Sequence, residues 1–443
     1  MSELVPPELA KACAEVRLAG PGDAIGGQPA RFAAEPASTA EAAALLQAAA
    51  ALGLTVVPRG SGRRIGWGVP PHSCDLVVST RRLDRVIEHA AGDLVVSVQA
   101  GVALDQLQAR LAAAGQRLAL DPPGGGTAGG VIATGAAGPL RLRYGTPRDL
   151  LIGITVVRAD GVIAKAGGKV VKNVAGYDMG KLFAGSYGTL GLITEATFRL
   201  HPCPAAAAWV TVDRPDPAAA AAAVQAAAAS PLAPSAIELH WPAAASPVSV
   251  AVLLEGDEAG VAERAGRLRD TLPGAPAAAE ETGTDGTSAA STGARGIEAG
   301  SDARPRWWGQ AGDAEQTVLQ IAFWAARLEH VLTAIRSAAS AADLDPEIGG
   351  SAAAGVLQVR LESRVPANMA AQFVASMRAG LARPAGGARP DAAVSVVVLD
   401  APRPVRAAVD MWGPVAGAGL MRAIKDQFDP EQRMAPGRFA GGI

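Results

Sequence analysis

Three glycine-rich stretches hold most of the residues whose types and spacing could do chemistry. The first is Pro58-Arg59-Gly60-Ser61-Gly62-Arg63-Arg64-Ile65-Gly66. Gly60 and Gly62 can take positive φ, so successive backbone N–H groups can point into one concavity. Such a nest binds phosphate oxygens, and the neighbouring arginines add charge. The same residues would also serve in an ordinary turn. The second stretch runs from Asp121 through Gly138 and contains a literal G-x-G-x-x-G at 124–129, with Asp149 twenty residues on. A dinucleotide fingerprint needs a strand before it and a helix opening after it, and here Asp121-Pro122-Pro123 comes first. The composition suggests instead backbone laid flat against a large planar ligand. Val131, Ile132 and Thr134 argue against a flexible linker, because linkers rarely carry core residues.

The third stretch is Gly168 to Glu195, GKVVKNVAGYDMGKLFAGSYGTLGLITE. The three tyrosines, Tyr144, Tyr177 and Tyr187, all lie between 144 and 187, and one of two asparagines, Asn173, joins them. In so alanine-biased a chain, this gathering of rare polar residues suggests a constrained site. The alternative is that they pin loops by hydrogen bonds, which for Asp178 and Lys181 would be a complete role.

Positioning these stretches takes a framework of alternating elements. Residues 38–53 read as a helix, with Ser38 or Thr39 as cap, Glu41 in the first turn and Gly53 as the stop. Leu54–Val57 then reads as a strand leading into the first glycine-rich loop. Leu76–Ser79 and Leu94–Val98 are β-branched runs, and 102–114 is a second helix ended by Gly115. Ile152–Arg158, Gly161–Lys165 and Gly191–Leu200 read as strands, the first two joined by an Ala159-Asp160-Gly161 hairpin. Beyond Pro204 the expected order is helix 218–229, strand 248–254, helix 258–272, strand 318–324, helix 327–341, strand 356–361, helix 366–382 and strand 394–399. Met421–Phe439 reads as a helix running into a Pro-Gly loop. Residues 273–304 have almost no large apolar side chain, cannot offset their ordering entropy by burial, and are expected to be a disordered insertion.

Composition narrows the class of partner. The 443 residues carry a formal net charge of −2 with charges mixed along the chain. That is not the basic stripe of a nucleic-acid binder. Aromatics make up 4%, too few for base-stacking platforms. Cys13, Cys74 and Cys203 are isolated, which fits a reducing compartment and supplies neither a zinc nor an iron–sulfur site. No run of about 20 strongly apolar residues appears, and the first residues lack the order of a signal peptide. An intracellular protein is expected.

In this order and spacing, the three stretches resemble the FAD-binding domain of the vanillyl-alcohol-oxidase/p-cresol-methylhydroxylase family, over residues 36–203. The segment KNVAGYDMGKLFAGSYGTLGLITEATFRLHP is most similar to the flavin-dependent 2-hydroxyacid dehydrogenase branch, which includes the FAD-binding subunits of bacterial glycolate oxidases. The family's C-terminal signature, Lys then Phe-Asp-Pro then Asn-Pro-Gly, is matched by Lys425, Phe428-Asp429-Pro430 and Ala435-Pro436-Gly437, with Ala435 departing from Asn.

The resemblance implies an α+β fold: a two-subdomain FAD-binding domain, divided near 36–120 and 121–203, plus a cap-like α+β domain with an antiparallel sheet over 204–410. Residues 1–35 would precede these, and 411–443 would return to the FAD domain. It implies that Arg59, Gly60, Ser61, Gly62 and Arg63 wrap the FAD pyrophosphate. Pro122, Thr127, Gly129, Gly130, Ala133, Thr134 and Gly138 would line the isoalloxazine and ribityl chain. Gly188, Gly191 and Ile193 would close over the flavin or adenine. Relatives that attach FAD covalently use a histidine in the first loop. This loop has Arg63, so non-covalent FAD is expected, with His72 at the surface.

Catalytic members of that branch carry Gly-His-x-Gly-x-Gly-Asn and Glu-His-Gly motifs that hold a metal and a base. This chain has five histidines. Only His240 and His330 follow residue 205, in Leu-His-Trp and Glu-His-Val, and read as structural and solvated respectively. No metal site is expected and no catalytic residue is assigned. Two readings stay open. One is an FAD-binding, electron-relaying subunit beside a larger catalytic flavin subunit and an iron–sulfur subunit, cytoplasmic or held at the inner membrane through that complex. The other is a self-sufficient dehydrogenase or oxidase whose base is a tyrosine or an arginine–carboxylate pair. A paralogue without FAD is disfavoured by the intact glycine-rich loops.

Overall fold

A computed structural model describes residues 4–168, 178–272, 304–310, 312, 315–382 and 394–443. The expected insertion at 273–304 lies almost wholly outside these residues, as do Asn173 and Tyr177. The chain divides into two compact units. The first comprises Met1–Ala137, Gly145–Pro202 and Pro414–Ile443, and the second Gly138–Tyr144 and Cys203–Gly413.

The first unit holds two main sheets. One has four strands in the order Val16–Leu18, Phe32–Ala34, Leu76–Ser79, Val56–Arg59. The last three run parallel, so a crossover must connect Phe32–Ala34 to Val56–Arg59. The helix Thr39–Ala51 is that crossover. Its start matches the sequence: the Ser38 side chain accepts from the Glu41 N–H at 3.1 Å. Glu41 in turn accepts from the N–H groups of Ala37 and Ala14, fixing the entry of the chain. Gly53, at φ +64, stops it. The other sheet has five antiparallel strands in the order Val86–Ala90, Val95–Gln99, Leu192–Arg199, Leu151–Val157, Ile163–Gly167. Its 157–163 hairpin turns where expected, with Gly161 at φ +83 and the Asp160 carboxylate accepting from the Val162 N–H.

The second unit is a seven-stranded antiparallel sheet in the order Ala206–Arg214, Val248–Gly256, Ala236–Trp241, Glu347–Gly350, Val356–Leu361, Thr317–Ala322, Ser395–Asp400. Alternation gives it two unlike faces. Val210, Val212, Ile237, Leu239, Val250, Val252, Ile348 and Val359 share one face and are buried. Helices Pro217–Ala229 and Glu258–Thr271 pack on the sheet, and Leu328–Ala341 packs on Ala367–Ala382. The opposite face carries Glu238, His240, Glu255, Glu347 and Arg360.

Two sequence expectations need correction here. The C-terminal helix is Ala418–Phe428, not 421–439. The Asp429 carboxylate, not the next helical turn, takes the Arg433 and Met434 N–H groups, at 3.0 and 2.6 Å, and Pro430 follows at once. The 121–138 stretch is also not extended backbone throughout. Thr127 caps a short helix, Ala128–Thr134, with its side chain accepting from the Gly130 N–H at 3.3 Å.

Candidate functional site

The first glycine-rich loop leaves the end of the Val56–Arg59 strand, next to Thr80, whose N–H donates to the Arg59 carbonyl. Gly62 takes a φ of +80 with open space around it, and Gly60 is there for space. A Cβ on Gly60 would lie 2.3 Å from Thr127 Oγ1 and 3.8 Å from Gly130 Cα. Only glycine lets the first loop come this close to the second. Gly126, at φ +130, would likewise put a Cβ 2.9 Å from Arg64 Nη1. Arg64 ties the two loops directly, donating to the carbonyls of Pro123 (2.5 Å) and Gly125 (2.7 Å). It is buried and lies 5.4 Å above the Trp67 ring. Burial, with Arg63 beside it, pulls its guanidinium down to about 10.

The second stretch is pinned to the five-stranded sheet and to the third. The Gly129 N–H donates to the Ala100 carbonyl at 2.8 Å, and a Cβ on Gly129 would meet Ala100 Cβ at 2.7 Å. The Gly185 and Tyr187 N–H groups donate to the carbonyls of Ile132 and Ala133. Gly188, at φ +80, lies over Pro58 of the first stretch, and Gly191 at φ +154 crowds the Val157 carbonyl. Each of the three stretches therefore touches both of the others.

Between them lies a cleft of about 710 Å³, its open mouth included. The first loop lines it with Arg59, Gly60, Ser61, Gly62 and Arg63. The second contributes Thr127, Gly129, Gly130, Ala133 and Thr134, and the third Gly188, Gly191 and Ile193. Two expected residues are elsewhere. Pro122 is buried outside the lining, and Gly138 belongs to the second unit.

Side-chain roles differ from the simplest expectation. Arg59 is engaged away from the cleft: its guanidinium binds Asp23 Oδ1 at 2.8 Å and the Gly22 carbonyl at 3.1 Å. Arg17, with Arg59, holds the Asp23 carboxyl far below the usual carboxylate range. Thr134 donates to the Gly130 carbonyl at 2.8 Å. Arg63, exposed at the lip, has no ion partner among the described residues.

Sequence reasoning missed five further lining residues that matter. Thr80 is 5% exposed, and its Oγ1 is buried with no hydrogen-bond partner among the described residues. Arg64 and Leu192 sit inside stretches already singled out. Tyr187, half-buried, holds an unusual φ of +55 and packs 5.7 Å from the Phe439 ring. Burial pushes its phenol up to about 12, against the pull of Arg438 and Arg64. Arg438 reaches the cleft from the far end of the chain and donates to the carbonyls of Ile65 (2.5 Å) and Trp67 (3.3 Å). Its only sequence signal was the Pro436-Gly437 turn before it. His72 is exposed and stands over Gly437.

The other candidate polar residues are used structurally. Lys181 donates to the Leu151 and Arg148 carbonyls and pairs with Asp178 at 3.4 Å. In the second unit, Tyr144 donates to Glu255 Oε2 at 3.1 Å. His240 Nε2 lies 3.1 Å from Glu347 Oε1, and its ring stacks on Trp307 at 5.0 Å. Arg360 meets the same Glu347 oxygen at 3.0 Å. His330 is half-buried, not solvated, and burial together with Arg327 lowers its pKa. Burial raises the Cys13 and Cys74 thiols to about 11 and 12, which leaves them unreactive. Among the described residues no group of His, Cys, Asp and Glu converges as metal ligands. None of their helices is long and apolar enough to cross a membrane.

Comparison with known proteins places this geometry. The family model "FAD binding domain" matches residues 30–167. The D-lactate dehydrogenase of Archaeoglobus fulgidus is 40% identical over 171 residues, 38% of this chain and 38% of its own. The glycolate oxidase subunit GlcE of Escherichia coli is 37% identical over 154 residues, 34% of this chain and 43% of its own. These matches span well under half of either relative. A solved alkyldihydroxyacetonephosphate synthase aligns over 98% of this chain and 85% of its own, with a TM-score of 0.68 at 16% identity, and so shares the fold. Residues 30–167 thus match an FAD-binding domain, and the first two glycine-rich stretches that line the cleft lie within it.

Proposed function

We propose that this chain is the FAD-binding subunit of a multi-subunit glycolate or related 2-hydroxyacid oxidoreductase, and that it holds FAD non-covalently. The observation that carries the reading is the cleft itself. A Cβ on Gly60 would collide with the facing second stretch and one on Gly188 would crowd Pro58, while Gly62 holds φ +80, so backbone is left free to face a ligand. The cleft also holds a buried hydroxyl, Thr80 Oγ1, with no partner among the described residues. A buried donor without a partner costs about 1–3 kcal/mol, which a bound ligand would relieve.

The residues fit FAD. N–H groups of the Gly60–Arg63 loop, aided by Arg63, would hold the pyrophosphate. Pro122 and Gly138 are not assigned contacts, since neither lines the cleft. Thr127, Gly129, Gly130, Ala133 and Thr134 would pack along the flavin and ribityl chain, with Gly188, Gly191 and Ile193 closing the other side. Bound FAD supplies a two-electron acceptor. This chain's own residues bind and orient it and keep water from its buried edge. The loop holds no histidine for a covalent link, so acid precipitation should release all flavin into the supernatant.

Two relatives are named as glycolate oxidase subunits, GlcD and GlcE. The histidines of the second unit favour a subunit over a complete enzyme. His240 is bonded to Glu347 and stacked on Trp307, and His330 stands alone on its helix. The partners would be a larger catalytic flavin subunit and an iron–sulfur subunit, in the cytoplasm or at the inner membrane through them. The test is co-expression with and without those subunits, assaying glycolate and D-lactate with an artificial acceptor. Activity only in the complex is expected. Turnover by the isolated chain would favour the second reading, a self-sufficient 2-hydroxyacid dehydrogenase, which the relative named D-lactate dehydrogenase supports.

A further inference from the structure

The most deeply buried charges of the first unit lie not in the cleft but behind it. Lys425 and Asp429 are both fully buried and paired at 2.6 Å, one turn apart at the end of the Ala418–Phe428 helix. Burying an ion pair is costly, and such a pair is a weak source of net stability. What it does provide is geometry. Lys425 Nζ makes two more bonds, to the Thr189 carbonyl (2.8 Å) and the Met434 carbonyl (2.8 Å). Thr189 lies between cleft residues Gly188 and Gly191 of the third stretch. Both Asp429 oxygens accept from the backbone of Arg433 and Met434.

The segment so held runs beside the strand that carries the first loop. The Val56 N–H donates to the Arg433 carbonyl, and the Ala435 N–H donates to the Val56 carbonyl, both at 2.8 Å. Three residues on, Arg438 enters the cleft wall, 3% exposed, and grips the Ile65 and Trp67 carbonyls just after the first loop. One ammonium group thus ties the third stretch to the tail, and the tail braces the first stretch at both its ends.

We infer that the Lys425–Asp429 pair positions the cofactor cleft, locking the C-terminal tail so that the Arg433–Ala435 backbone and Arg438 fix the shape of the 58–67 loop. This rests on the reading of the cleft as an FAD site. The pair itself touches no ligand, so it is a positioning group. A merely structural pair would lower stability without changing how tightly the remaining folded protein holds FAD.

The experiment uses the full chain with three changes: Lys425→Met with Asp429→Asn together, Arg438→Ala, and Arg438→Lys. Two quantities are read: the FAD dissociation constant from flavin fluorescence, and amide hydrogen exchange of residues 59–65 without FAD. The first two variants are expected to weaken FAD binding at least about tenfold and to speed exchange in the loop. Arg438→Lys should recover part of both. Arg438→Ala keeps the test sharp if the double variant fails to fold. Binding within about twofold of the parent with unchanged loop exchange would overturn the proposal. If the parent takes up no FAD, the cofactor reading falls, and loop exchange alone decides the latch: faster exchange supports it and unchanged exchange overturns it.

Discussion

The cleft of the first unit and the polar sheet face of the second use residues in opposite ways. In the cleft, side chains are removed or turned aside. A neighbour occupies the Cβ place of Gly60 (Thr127), Gly126 (Arg64) and Gly129 (Ala100), and Arg59 is turned onto Asp23. The lining is then mostly backbone, with Arg63, which has no ion partner among the described residues, Thr80, whose Oγ1 has no hydrogen-bond partner among them, and the side chains of Tyr187, Leu192 and Ile193. On the sheet face, polar side chains are present but answer to one another: His240 and Arg360 share Glu347, Tyr144 meets Glu255, and Ser351 bonds Glu238. Arg360 Nε and Trp209 Nε1 find no partner among the described residues, but a surface whose polar groups mostly pair with one another is built for structure. One left with unmet groups and excluded side chains is built for a ligand.

Substitutions can break or sharpen this contrast. The largest effect is expected from Gly60→Val, which drives side-chain atoms into Thr127. FAD affinity should fall by roughly a hundredfold or more, about 3 kcal/mol, as measured by flavin fluorescence titration. An affinity near the parent's would mean that the loops need not meet as closely as the geometry requires. Thr80→Val comes next. It should weaken FAD binding by about 1 kcal/mol while leaving the unliganded Tm unchanged or slightly higher, because an unmet buried donor is lost. A drop in unliganded Tm with unchanged FAD affinity would reverse that assignment.

Glu347→Gln is the counterpart in the second unit. It should leave FAD affinity unchanged and cost about 1 kcal/mol or less of stability, because the carboxylate is about one-third exposed and its pairing is screened. The hydrogen bond from His240, then Arg360, lowers the Glu347 pKa. A depressed folded-state pKa contributes stability that is present above the unfolded value, about 4.3, and is lost as pH falls through the folded value. The Tm difference between Glu347→Gln and parent should therefore be full at neutral pH and shrink below about pH 4. A difference independent of pH would assign the effect to packing. The smallest effect concerns Ala435, held at φ +44. Alanine is strained there and asparagine tolerates it. Ala435→Asn relieves that strain but must seat an amide where Ala435 is fully buried among Ile25, Val57 and Val77, so a thermal melt should show a fall in Tm corresponding to about 1 kcal/mol or less.

The same contrast explains what the sequence revealed. The glycine-rich loops were legible because nothing but a close approach or a positive φ requires such residues at 60, 126, 129 and 191. The crossover helix was legible through Ser38 and Glu41. Tertiary relations were not. Thr80 lies at the end of a strand that reads as ordinary core, and its meaning comes only from the parallel pairing with Val56–Arg59. Arg438 stands more than 370 residues from the Ile65 and Trp67 carbonyls it binds, and Lys425 stands 236 residues from Thr189. The tail was read as helix to Phe439 although Pro430 is a local stop signal; what is not local is that the Asp429 carboxylate takes the Arg433 and Met434 N–H groups. The strands Ala206–Arg214, Ala236–Trp241 and Glu347–Gly350 were missed for another reason. Alanine, glycine, glutamate and histidine occupy them, and their strand character comes from neighbours in the sheet.

The central claim is that three glycine-rich stretches of the first unit form an FAD site. Its most direct test is the visible spectrum of the purified full chain, before and after incubation with FAD and removal of the excess. A flavin absorbance band near one FAD per chain, released entirely by acid, is predicted. A colourless protein that stays colourless after reconstitution would contradict the account.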